Sequence, residues 1–201
     1  MAEMSTPSPR SRPKGDKRER TRARLLEAAR ALIREKGHEN TTLEGIAERA
    51  GMTTGAIYGN FRNRDDLFLA LGQTYWPPIK PRVKAGANFA DVMRAMAEAT
   101  IAAIPERATV AIGRLTGLAY TLAHEEMRAR VAAFTAESYA FGEQWLREVV
   151  GEEELPMPAG ELVCVIHALT EGLVFQRLLT PELVPDRAIR AAFLALATKQ
   201  N

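Results

Sequence analysis

The stretch Thr41–Phe61 leaves little freedom in how it can fold. It reads as two short helices joined by a tight turn. Thr41 followed by Glu44 has the spacing of a capping box, so a helix is expected from Thr42. Its inner face is Leu43, Ile46, Ala47 and Ala50, at i, i+3, i+4 and i+7. Gly51 ends that helix and supplies the backbone freedom of the turn, with Met52 filling the corner. The Thr53 hydroxyl suits the cap of a second helix, whose Ile57 and Phe61 point inward. Thr54, Gly55, Tyr58 and Asn60 are left to face outward. An ordinary helical hairpin inside a bundle shares most of this pattern. The small, polar, uncharged outer face is the mark of a helix that enters a DNA groove.

The flanks extend the pattern. Lys17 to Lys36 reads as an amphipathic helix with Leu25, Leu26, Ala29, Leu32 and Ile33 inward, closed by Gly37. Asn63 and Asp66 signal a further helix start ahead of Leu67, Phe68 and Leu71. Taken together, Thr21–Arg30 (TRARLLEAAR), Glu35-Lys36-Gly37, Ile46–Gly51 (IAERAG), Gly55–Tyr58 (GAIY), Phe61 and Asp66-Leu67 resemble the N-terminal domain of the TetR (tetracycline-repressor) family, without a gap over residues 18 to 75. The resemblance implies an all-α protein. An N-terminal three-helix helix-turn-helix domain would precede a helical domain for effector binding and dimerisation. It also implies a bacterial cytoplasm. The expected organisation is a basic arm at 1–16, a DNA-binding domain at 17–63 with its helix-turn-helix at about 42–61, and an effector and dimerisation domain at 64–201.

Charge is distributed in keeping with that. Residues 1–75 carry 14 Lys and Arg against 10 Asp and Glu, and the remainder carries 13 against 15. Most of the excess lies at Arg10, Arg12, Lys14, Lys17, Arg18, Arg20, Arg22 and Arg24. The first part of this segment is rich in Pro and Ser and is expected to be disordered; the segment could follow phosphates or enter the minor groove, or simply aid solubility.

Position selects the DNA candidates. Thr53 and Thr54 can bond a phosphate or a base edge, and Gly55 and Ala56 permit close approach. Thr42 can offer its hydroxyl to phosphate, and Arg62 and Arg64 add charge at the next helix start. Asn60 could pair with adenine or hold a phosphate. Tyr58 resembles the family's phosphate-contacting tyrosine. Many members carry Lys at the position of Thr54 and His at that of Gly59 or Asn60, so base preference does not transfer to this chain.

Beyond residue 80 the pattern is helical throughout. Asn88 and Asp91 start a helix with Phe89, Val92, Met93, Met96, Ala97, Ile101 and Ile104 on one face, and Pro105 suits the first turn of another. A stripe of Ile112, Leu115, Leu118, Ala119 and Leu122 follows, then a long amphipathic stretch from Met127 to Val149, stopping at Gly151. Gly160 to Leu179 is apolar nearly all round and so needs two partners. The last helix starts at Pro185-Asp186. These final two helices are expected to form a homodimer interface through Leu162, Val165, Ile166, Leu169, Leu173, Ile189, Phe193 and Leu196. Two reading helices about one DNA turn apart would then meet a palindromic operator of double-stranded DNA.

By the resemblance, a small-molecule effector of unknown identity is expected among Tyr75, Trp76, Met93, Met96, Tyr120, His124, Phe134, Tyr139 and His167. A hydrophobic or aromatic ligand would suit such a lining, although stripes of this kind are also what plain core looks like. Control by a protein partner, or constitutive binding, stays open as the alternative. No enzymatic motif is present: there is no phosphate-binding glycine loop, no HExxH and no CxxC, and no metal or cofactor is expected. Cys164 and His167 share a helix face but lack a third partner; Cys164 is expected to be a small buried residue, and His167 a hydrogen-bonded core histidine. With one cysteine there is no intrachain disulfide. No apolar run approaches 18 residues, so neither a spanning helix nor a membrane partner is expected.

Overall fold

The computed structural model describes residues 14–197. The chain divides into two compact units, one up to Leu71 and one from Gly72. Among the described residues the regular structure is helical. In the first unit these helices are α1 (Lys14–Lys36), α2 (Leu43–Arg49), α3 (Thr54–Tyr58) and most of α4 (Arg64–Tyr75). The division falls within α4, several residues beyond the boundary expected at Arg64. The arm as far as position 13 lies outside the described residues, and α1 already begins at Lys14.

The first unit is built as its apolar spacing predicts. Leu25, Ala29, Ile46, Ile57, Phe61 and Leu67 are each essentially sealed from water. Burying a side chain of this size stabilises by about 1.5–3 kcal/mol. One local prediction shifts by a residue. The cap of α2 is Thr42, whose Oγ1 accepts from the Gly45 N–H at 3.1 Å. Thr41 is buried instead and donates its hydroxyl to the Gly37 carbonyl at 2.8 Å. With two adjacent threonines, the deeper one closes the preceding turn and the outer one caps. Gly37 and Gly51 take φ of 77° and 63°, the left-handed conformation that ends α1 and α2.

The second unit holds α5 (Phe89–Ala108), α6 (Ala111–Ala123), α7 (Glu125–Val149), a 3-10 turn at Glu152–Glu154, α8 (Ala159–Leu179) and α9 (Asp186–Leu196). α5 starts at the expected Asn88–Asp91 capping box. Pro105, expected at a helix start, lies in the last turns of α5, where its fixed φ is compatible and only one backbone bond is lost. The core joins Phe89, Val92, Met93, Met96 and Ala97 of α5 to Leu146, Leu162, Ile189 and Phe193. Arg190 clamps α9 to α5 by a two-pronged bond to Glu98 at 2.6 and 3.1 Å.

Several expectations for α8 and α9 are corrected by this packing. Leu162, Ile189 and Phe193 are fully buried within the subunit, and Ile166, Leu169, Leu173 and Leu196 pack against the same core. The first three are closed off inside the protomer, while the other four pack on its core and keep part of their surface open. Of the proposed interface only Val165 is exposed. It shares an outer face of α8 with Ala168, Gly172 and Leu179, while Ala191, Leu194 and Ala195 are exposed on α9. The apolar stripe of α6 is open: Ile112 and Leu122 are 72% and 71% exposed. α8 is long and apolar enough, by length and composition, to cross a membrane, contrary to the expectation from the sequence. It nevertheless carries Glu161, His167, Glu171 and Arg177.

Candidate nucleic-acid interface and effector site

The five-residue α3 is too short to persist alone, so its neighbours must hold it. Thr53 caps it, with Oγ1 accepting from the Ala56 N–H at 3.3 Å. Ile57 and Phe61 anchor its inner side at 0% and 1% exposure. The turn from α2 is closed by Gly51 N–H to the Glu48 carbonyl and Met52 N–H to the Ala47 carbonyl, both 2.9 Å. Thr53, Thr54, Gly55 and Tyr58 are exposed, and Ala56 is half-buried. A β-carbon added at Gly55 would meet only Thr53 Oγ1, at 3.8 Å, so this surface is open for close approach. The Thr42 and Thr53 oxygens accept from backbone N–H groups, which leaves each hydroxyl proton available to donate outward.

Tyr58 is half exposed and its hydroxyl donates to Glu44 Oε1 at 2.9 Å. That bond raises the phenol pKa, while the Glu44 carboxyl is held down first by its own backbone N–H and then by Tyr58. Glu44, expected only as a capping partner, thus sits on the reading face.

Four of the side chains expected at DNA bond within the domain instead. Asn60 donates from Nδ2 to the Ala56 carbonyl at 2.8 Å and buries its Oδ1, so it is not free to read adenine. Arg64 bonds the His38 carbonyl, lies over the Phe68 ring and faces Glu39 at 3.9 Å. It ties α4 to the end of α1. Arg22 and Arg24, assigned by charge to the phosphate-following segment, close helix ends instead. Arg22 donates to the Asn60 carbonyl at 3.1 Å and covers Phe61, and Arg24 donates to the Ala50 carbonyl at 2.9 Å. A guanidinium suits the negative end of a helix. Arg62 remains outward, its side chain 88% exposed. Behind the face, Arg49 and Glu35 form a two-pronged pair at 2.7 and 2.8 Å that locks α2 to α1.

Residues 25–71 match the model of bacterial regulatory proteins of the tetR family. This match assigns residues 25–71 to a tetR-type domain. The transcriptional repressor AcnR of Corynebacterium glutamicum is 34% identical over 84 residues, covering 42% of this chain and 44% of AcnR. The regulator TtgR of Pseudomonas putida is 49% identical over 51 residues, covering 25% of this chain and 24% of TtgR. The aligned region thus spans less than half the length of these curated relatives. A solved structure of NalD, the secondary repressor of the MexAB-OprM multidrug efflux pump in Pseudomonas aeruginosa, aligns over 88% of this chain and 93% of NalD at 26% identity, with a TM-score of 0.57. These relatives are transcriptional regulators, not enzymes.

C-terminal to the tetR domain, the expected effector residues separate into groups. Met93 and Met96 belong to the apolar core at 0% and 6% exposure. Tyr120 stacks on His124 at 3.9 Å, and His124 Nδ1 bonds the Tyr120 carbonyl, at the corner between α6 and α7. Tyr75 and Phe134 are half-buried. Tyr139 Oη and His167 Nδ1 lie 2.7 Å apart. His167 and Cys164 are both exposed, not the core residues expected.

Trp76 is the centre of the largest polar arrangement. Its Nε1–H donates to Glu171 Oε1 at 2.7 Å, and Phe175 stacks on it at 5.3 Å. Arg107 lies 4.3 Å from the indole and Arg114 5.6 Å. Glu171 also accepts from Arg107 at 3.5 Å and from Arg114 at 3.1 Å, while Arg107 donates to the Pro77 carbonyl at 2.6 Å. Burial holds the Arg107 pKa down, and the neighbouring Arg114 adds to that, against the pull of Glu171. Arg107, Arg114 and Glu171 were not singled out in the sequence. The available sign was a charged residue set within the otherwise apolar α6 and α8. Among the described residues, no group of three or more His, Cys, Asp or Glu is placed to hold a metal ion.

Proposed function

We propose that this chain is a homodimeric repressor that reads a palindromic operator through α3 and releases it when a small ligand binds the C-terminal unit. The observation that carries the reading is the outward face of α3. Thr53, Thr54, Gly55 and Tyr58 stand exposed on a helix whose other contacts are all committed to the domain. So few reading residues specify little DNA, and a second copy about 34–36 Å away would supply the rest. The outer face of α8 and α9, with Val165, Ala168, Gly172, Leu179 and Leu194, suits that pairing. A β-carbon at Gly172 would meet nothing, which leaves room for a partner helix to approach closely.

Release would work by population shift. α4 continues the chain from the tetR domain to Trp76, and Trp76 is fixed on Glu171. A ligand that rearranges this cluster would favour a different position of the α4 end and weaken the dimer's grip on two half-sites. The exposed Ile112, Leu115 and Leu122 of α6 favour a second reading, in which a protein partner covers that face.

The test is selection of binding sites from random duplex DNA at about 150 mM salt, where phosphate attraction alone is weak. A palindromic motif with half-sites one turn apart is the expected result. Binding with no enriched motif that fades as salt rises would sink the reading. A dimer that holds its operator and is released by no small molecule would leave the partner reading in place.

A further inference from the structure

The cluster around Trp76 is out of electrical balance. Arg107 and Arg114 share a single carboxylate, Glu171. The other carboxylate whose field reaches Arg107, Glu106, is exposed to water. One positive charge is therefore left over in a place where the side chains of Arg107, Glu171 and Arg114 are 7%, 19% and 25% exposed. Buried cations are normally matched, because leaving water is costly. Arg114 is also incompletely bonded. One arm of its guanidinium meets Glu171, but its buried Nε has no partner among the described residues. A buried N–H donor without an acceptor is uncommon in folded proteins. His167 stands one turn before Glu171 on α8 and lies in the field of Glu171, Arg114 and Arg107. Its ring is exposed and partnered by the Tyr139 hydroxyl. Both guanidinium groups lie over the Trp76 indole, on which Phe175 stacks, and Tyr139 meets the His167 ring.

We propose that Arg114 receives the carboxylate of a small organic acid, whose single negative charge completes the pairing of Arg107, Arg114 and Glu171. This rests on the reading of the C-terminal unit as the effector site and names the ligand class it takes. A planar guanidinium with a free Nε–H matches a carboxylate in two-pronged geometry. A monoanion offsets a surplus of one, and the neighbouring rings suit an organic body better than an inorganic ion. The acid would compete with Glu171 for Arg114 and so loosen the carboxylate on which the Trp76 indole is held. Arg107 supports the site from behind through Pro77, next in sequence to Trp76.

The experiment uses the full chain with Trp145→Phe, which leaves Trp76 as the sole tryptophan of the two. Benzoate, 4-hydroxybenzoate and hexanoate are titrated against their primary amides at constant salt, following Trp76 fluorescence. At least one acid is expected to give a saturable change, at least tenfold tighter than its amide. Arg114→Gln should weaken that acid at least tenfold with an unchanged melting curve, and Arg114→Lys should restore part of the loss. An amide that binds as well as its acid, no saturable change with any acid, or binding indifferent to Arg114→Gln would each overturn the proposal. Retention of operator DNA is measured in parallel. Acid binding that leaves DNA affinity untouched keeps the acid site and removes the release mechanism. Release by a neutral compound that ignores Arg114 keeps release and removes the acid site.

Discussion

The reading face depends on a few side chains that each have one alternative partner. Tyr58 is the clearest case, since its hydroxyl is held by Glu44 and must turn from it to meet a phosphate. Tyr58→Phe is expected to weaken operator binding about fivefold, roughly the 1 kcal/mol of one hydrogen bond. The salt dependence should not change, because no charge is lost, and a fluorescence-anisotropy titration at two salt concentrations reads both quantities. His38 gives a residue-scale prediction in pH. Burial, aided by the Arg64 guanidinium, lowers its pKa from 6.5 to about 4. Between those values the unfolded chain binds a proton that the folded chain refuses. The stabilisation from the neutral ring is therefore complete above pH 6.5 and is lost as pH falls toward 4. Up to about 3 kcal/mol is involved. Denaturant melts across this range should show the decline, and His38→Phe should flatten it. A decline unaltered by that substitution would assign it to other groups.

At the scale of the element, two glycines that both have room for a β-carbon differ in their backbone. Gly51 sits at φ 63° with open space around it, so Gly51→Ala carries only the strain of a left-handed residue. It should lower stability by about 1–2 kcal/mol. Gly55 lies in ordinary helical conformation on an exposed face, so Gly55→Ala should raise stability by up to about 1 kcal/mol while weakening DNA binding. Thermal melts and DNA titrations of the two variants should move in those opposite senses. These features were legible in sequence because they are local: a cap, a turn glycine and an apolar period all lie within a few residues of each other. The partners of Arg22, Arg24 and Arg64 were not. A basic residue near a DNA-binding motif looks the same whether it meets a phosphate or the carbonyl end of a helix 26 or 38 residues away. The choice between Thr41 and Thr42 was hidden for a different reason, because adjacent threonines offer the same chemistry.

For the whole molecule, α8 carries the proposed contact between two copies of the chain. Its composition is apolar on every side, so sequence alone could not divide its residues between the subunit core and an outer face. Packing within the subunit makes that division, burying Leu162 and Val174 and leaving Ala168 and Gly172 outside. Ala168→Arg places a charge on the outer face without touching the core. It is expected to give monomers by light scattering, with helical content preserved, and to reduce affinity for a palindrome to that for a single half-site. Dimers that persist in this variant would move the interface elsewhere. The fold class was legible from the helical periods, whereas the Trp76 cluster was not, because its members come from the end of α4, α5, α6 and α8.

The way α3 is held has a consequence for how such a protein can change. The contacts of Thr53, Asn60, Arg22, Ile57 and Phe61 that fix the helix arise at its ends or its inner side, and of the outward residues Tyr58 adds a bond to Glu44. The outward positions bear almost none of the folding burden. Substitutions at Thr54 and Gly55 can therefore be sampled almost independently of stability, so a gene copy could drift from one operator to another through intermediates that all remain folded.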